Sequence, residues 1–197
     1  MSKMNLRSYW ISKLIVVISI FFFSSANADI KLKSSQQVSN FLNQIKNFAS
    51  EKNQLNKEKM SKQLLELIDL EFMSKVTVGK QWKTVTDEEK IIFKTNLFNK
   101  FIQFINLHLE DFKEISFREK SIKLRGQKLV YVNGSIDTKK IKNLDITWKL
   151  SSKENKILDV EIEKISLIKT QKLEMRPLLK KNKNNFSKFI DIYFKNL

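Results

Sequence analysis

The chain has 197 residues, 42% of them hydrophobic, with 37 basic against 21 acidic side chains and no cysteine. That length suits one domain with room for a core, and the missing cysteine excludes disulfides, thiolate metal sites and a lipidated-cysteine anchor. Only four arginines occur and the lysines are spread along the chain, so no nucleic acid is expected as the partner of the positive charge.

Residues 1–28 read as a Sec-type signal peptide. Lys3, Arg7 and Lys13 form a positive start, Leu14–Phe23 is apolar, and Ala26-Asn27-Ala28 offers a small-x-small cleavage site. The apolar run is about half of what a membrane span needs. Cleavage near Ala28 would release residues 29–197 into the periplasm as a single domain, with a balance of +13 once the three basic residues of the signal are gone. That charge has two readings: attraction to anionic headgroups or acidic partners, or a lysine-rich composition with no role.

From Ser34 to Asn53, Val38, Phe41, Leu42, Ile45 and Phe48 recur at helical spacing. Lys57 to about Leu70 is a second helix, and Leu70–Lys83 a third, broken near Gly79. Thr86 with Glu89 forms a capping box that opens a long helix, roughly Asp87 to Asp111, with acidic residues at its positive end. That helix is apolar on two stripes, one with Ile91, Phe98, Phe101, Ile105, Leu109 and Phe112, the other with Phe93, Leu97, Phe104 and Leu107. One stripe would suffice for a helix lying on a core. Two require a cover on both sides.

Beyond residue 114 the period changes to two. Ile115–Leu124 is a candidate strand, and Lys128–Lys139 is a second, with Val130, Val132 and Ile136 on one face. Leu144, Ile146, Trp148 and Leu150 alternate with polar residues, and Leu158, Val160 and Ile162 do so again. Short connections predict an antiparallel meander of about four strands, covered on its apolar face by the helices: an α+β fold with a curved sheet. Ser166 caps a further helix, which Pro177 must either kink or end. Phe186–Phe194 is a last amphipathic segment.

No catalytic or metal-binding constellation stands out, and no enzyme activity is expected. His108 is the only histidine and lies on an apolar stripe, where it reads as a packed residue. Asp159 reads as a structural carboxylate paired with a lysine or a backbone amide. Gly79, Gly126 and Gly134 stand apart from one another, so there is no phosphate loop. What remains is more inward apolar surface than one packed layer consumes. An acyl chain would fill it: at about 0.8 kcal/mol per methylene, a 16-carbon tail costs roughly 12 kcal/mol to leave in water.

Two segments resemble the MlaC family, the toluene-tolerance auxiliary proteins. The first comprises Glu71-Phe72, Gly79-Lys80-Gln81-Trp82-Lys83, Thr86-Asp87-Glu88-Glu89 and Phe93. The second runs from Asp159-Val160-Glu161-Ile162 into Ile165-Ser166-Leu167-Ile168, in place of the family's D-V-x-v-x-G-V-S-L-V. Gly79, Trp82, Asp159 and Ser166 are the motif positions. The resemblance implies a phospholipid cargo, no cofactor, and shuttling between an outer-membrane lipoprotein–porin complex and an inner-membrane ABC transporter with its ring of substrate-binding domains, to maintain outer-membrane asymmetry. Carried over by position, the lipid would meet Phe93, Leu97, Phe101, Phe104 and Ile105 on the long helix, and Val130, Val132, Ile146, Trp148, Val160 and Ile162 on the sheet. Lys164, Lys169, Lys172 and Arg176 are candidate docking residues. The chain departs from the pattern at Phe104-Ile105 (Thr-Tyr in the family), Lys164 (Gly), Gln171-Lys172 (Tyr-Arg) and Asn155 (Trp). The alternative reading of the same cleft is a module that binds a peptide or a partner helix.

Overall fold

A computed structural model describes residues 6–182 and 185–195, with side chains from residue 27 onward. All but the last two residues of the segment read as a signal therefore lie outside the side chains described. Among the described residues no helix is long and apolar enough to cross a membrane.

The first half of the chain is helical. Helix α1 (Leu6–Ser50) turns Val38, Phe41, Leu42, Ile45 and Phe48 inward, all buried, as their spacing predicts. Helix α2 (Gln54–Leu67) starts at Asn53, whose side chain accepts from the amides of Leu55 and Asn56. Asp69 caps α3 (Leu70–Val78), accepting from the Phe72 amide at 2.8 Å. Gly79 ends α3 at φ 77° and ψ −134°, a conformation that only glycine adopts without strain, and a 3-10 turn (Gly79–Lys83) follows.

The Thr86–Glu89 box opens α4 (Asp87–Leu107) with both reciprocal bonds in place, at 3.2 and 3.0 Å. This helix is shorter than its apolar pattern suggested. It stops at His108, and a single separate turn, α5 (Leu109–Lys113), carries the rest of the stripe. The break leaves His108 exposed, with its ring centre 4.7 Å from that of Phe104, and not packed in the core.

The second half is an open antiparallel sheet of five strands in sequence order: β1 (Ser116–Arg125), β2 (Leu129–Asp137), β3 (Leu144–Ser151), β4 (Ile157–Ile162) and β5 (Ile165–Ser166). The fold class is thus α+β, with one short strand beyond the four expected. Two register shifts bend the sheet, one between Glu119 and Ser121 and one opposite Lys149 and Leu150. The second corrects the expected face of β4. Leu150 pairs with Ile157 while Trp148 pairs with Val160, so Ile157, Val160 and Ile162 share the concave side and Leu158 drops out of phase.

Helix α6 (Leu167–Lys181) starts at Ser166, which accepts from the Lys169 amide at 3.1 Å. It runs through Pro177 without ending. The proline lies on the exposed side, where water can serve the carbonyl that it leaves unpaired. Helix α7 (Phe186–Tyr193) follows.

Two apolar clusters result. The larger joins α1 and α2 to the sheet through Phe48, Leu64, Val130, Val132, Ile146, Trp148 and Leu150. The smaller joins α4, α6 and α7 through Trp82, Phe93, Met175, Phe186 and Phe189.

Candidate functional site

Where the two clusters meet, the interior is hollow. A cavity of about 340 Å³ opens between α3, α4, β4 and α6. Helix α4 supplies Leu97, Phe98, Phe101 and Phe104 to its wall, β4 supplies Ile157, Val160 and Ile162, and α3 supplies Leu70, Met73 and Thr77. Phe41 of α1 and Ile68 close the deep end, both buried. Leu167 and Phe104 stand at the other end and remain about half exposed, at 46% and 52%, which marks the mouth. The volume is at the lower end of the range for ligand pockets, which are mostly apolar with a few placed polar groups.

The polar groups here are few. Lys100 of α4 and Gln171 of α6 reach the wall from opposite sides, and their side chains meet at 3.5 Å. Asp159 also borders the cavity but is fully occupied. Its carboxylate accepts from Lys149 at 3.0 Å, from the Ser166 hydroxyl at 2.7 Å, and from the amides of Val160 and Ile168. It thereby ties β4 to the first turn of α6. Burial alone would lower the Lys149 pKa, but Glu161 and Asp159 outweigh it and hold the ammonium above its usual value. This group is a cationic strut, not a proton donor at neutral pH.

Of the residues singled out in the sequence, Leu97, Phe101, Phe104, Val160 and Ile162 lie on the cavity wall. Phe93 does not. It is fully buried in the smaller cluster, 6.1 Å from Trp82 and 5.6 Å from Phe194. Ile105, Val130, Val132, Ile146 and Trp148 belong to the larger cluster behind the wall, where Trp148 meets Phe41 edge-on at 5.5 Å. Their alternation is real, but it is the same for a residue facing a core as for one facing a cavity. The α3 and α6 contributions, Met73, Thr77, Ile168 and Gln171, were not assigned to the site from the sequence, although Ile168 and Gln171 stand within the segments compared with the family. Their only advance signal was position: they flank the Gly79 turn and the Ser166 cap.

The motif residues are structural. Glu71 accepts from the Trp82 indole at 3.1 Å and from Lys94 at 2.9 Å, and these bonds, Lys94 first, hold its carboxyl below the usual range. Gly79 lies beside Lys172, whose ammonium would touch any added Cβ at 3.4 Å. Lys164, Lys169, Lys172 and Arg176 are all exposed. Among the described residues no group of His, Cys, Asp or Glu could hold a metal ion.

A curved, open sheet with helices across its concave face and an apolar cavity in between defines a helix-covered ligand-binding α+β fold. The chain belongs to the MlaC family: residues 33–192 match the family model described as MlaC protein. Among solved structures, the chain is similar to a phospholipid-binding protein from Ralstonia solanacearum in complex with a phospholipid. The likeness has a TM-score of 0.69 at 15% identity and covers 84% of this chain and 96% of the other. No curated protein matches the sequence.

Proposed function

We propose that this protein binds a phospholipid by its acyl chains and carries it through the periplasm, between an outer-membrane lipoprotein–porin complex and an inner-membrane ABC transporter. The observation that carries the reading is the cavity: closed at its deep end by the buried apolar side chains of Phe41 and Ile68, and open where Phe104 and Leu167 are left half in water. Apolar surface at a mouth is costly, at about 25 cal/mol per Å², until a ligand covers it. Family membership and the phospholipid complex of the similar structure support the same reading. On it, the signal segment delivers the chain to the periplasm, and the exposed Lys164, Lys169, Lys172 and Arg176 guide docking onto acidic partners.

Solvent extraction of the purified protein, followed by mass spectrometry, should recover about one phospholipid per chain. A stable, monomeric protein free of lipid, even after incubation with vesicles, would overturn the reading in favour of a peptide- or partner-binding cleft.

A further inference from the structure

The mouth of the cavity is not uniformly greasy. Lys100, on the same face of α4 as Leu97 and Phe104, donates to the Tyr193 hydroxyl at 2.8 Å and lies 4.3 Å from the centre of that ring. The Tyr193 hydroxyl in turn donates to Gln171 at 2.6 Å and approaches Glu174 at 3.2 Å. Glu174 stands 3.9 Å from the Lys100 ammonium, and both side chains are partly exposed. Three helices thus converge on one polar cluster, with a cation and an anion side by side. Burial and the nearby Glu174 push the Tyr193 phenol well up, so it stays a neutral bridge between them.

A purely structural pair would need no place on a cavity wall. Lys100 and Gln171 do line the wall, one helical turn from Phe104 and Leu167 respectively, at the end where a lipid held by its tails must leave its headgroup. An ammonium has three protons. The bonds to Tyr193 and Gln171 use two, which leaves one for a phosphate oxygen. A cation alone would favour any anionic headgroup; Glu174 changes that, because it repels an extra negative charge and attracts an amine.

We infer that Lys100, Gln171, Tyr193 and Glu174 form a headgroup site matched to a zwitterionic, amine-bearing phospholipid, with Lys100 on the phosphate and Glu174 on the headgroup ammonium. This rests on the lipid-carrier reading above. The test loads the purified protein from vesicles of equal phosphatidylethanolamine and phosphatidylglycerol and measures the bound lipids by mass spectrometry. The wild type should be enriched about threefold in phosphatidylethanolamine, Glu174→Gln should fall back to the vesicle ratio, and Lys100→Gln should lose either lipid about three- to tenfold faster. Tyr193→Phe, which removes only the bridging hydroxyl, should reduce the enrichment, and melting curves confirm that each variant is folded. Bound lipid that mirrors the vesicle ratio in the wild type, or Glu174→Gln with its enrichment intact, would overturn the headgroup site while leaving the carrier reading standing. No bound lipid at all would overturn both. Glycerophosphoethanolamine, the headgroup without its tails, should bind far more weakly; tight binding of it by lipid-free protein would assign the site to a water-soluble phosphoamine instead.

Discussion

Val160 is the residue at which cavity and core make opposite demands. It lies on β4 opposite Trp148, with Ile162 beyond it on the same face, and borders the empty volume. In a close-packed interior, a tryptophan here would cost at least about 1–3 kcal/mol in overpacking. Beside a cavity of about 340 Å³ the added ring has somewhere to go, which is the space assigned to an acyl chain. Val160→Trp is therefore expected to melt near the wild-type temperature while losing its lipid. A well-folded variant with full lipid occupancy would mean that the tails do not reach this face; an unfolded one would mean that the wall is ordinary core. Lys164 shows the opposite relation between residue and backbone. It sits at φ 66° in the two-residue turn between β4 and β5, with Glu163 at φ 49° before it. The family has glycine at this point, and the left-handed turn supplies the reason. Lys164→Gly should relieve about 1–2 kcal/mol of strain, less about 0.4–1 kcal/mol for the freer unfolded chain. The expected net gain, about 0.8 kcal/mol at mid-range, would raise the melting temperature by about 2–3 °C. A fall in melting temperature would show that the lysine side chain contributes more than its backbone costs.

At the scale of elements, legibility followed locality. The capping residues Thr86 and Ser166 each act on amides within three residues, so a short stretch of sequence contains the whole mechanism, and both caps are present. The meander was readable because its connections are short and its strands alternate. The bulge opposite Lys149 and Leu150 was not, since Ile157-Leu158 is apolar at both positions and either phase satisfies the alternation. The stop at His108 was equally hidden, as the apolar stripe continues into Leu109 and Phe112 after the helix has ended. The candidate site divides along the same line. Leu97, Phe101, Phe104, Val160 and Ile162 could be named from periodicity and resemblance, but the α3 and α6 walls depend on long-range packing, with Asp159 bonded to Ser166 and to the Ile168 amide. No sequence period separates Val132, fully buried behind the wall, from Val160 on it.

For the molecule as a whole, the question is whether its positive charge does anything. A formal +16 spread over 197 residues could be composition alone. Two arrangements speak for a role. Lys169, Lys172 and Arg176 recur at helical spacing along the helix whose first turns form one lip of the cavity, and Lys164 stands in the adjoining turn. All four are exposed, and none forms a salt bridge among the described residues, so no carboxylate is paired directly with their charge. Charges of this kind act on encounter, not on the stability of the docked complex, and they are screened over about 10 Å at 0.1 M salt. Reversing all four to glutamate should therefore leave the melting temperature and bound lipid close to wild type. Lipid transfer to acidic acceptor partners should slow by about tenfold or more at low ionic strength, within the range by which steering raises association rates. The difference should shrink steadily as salt is added, because the wild type loses its advantage while the variant loses its repulsion. Equal transfer rates for the two proteins at low salt would reduce the clustering on α6 to composition. A deficit that persists unchanged at high salt would point to direct contacts at these residues in place of steering.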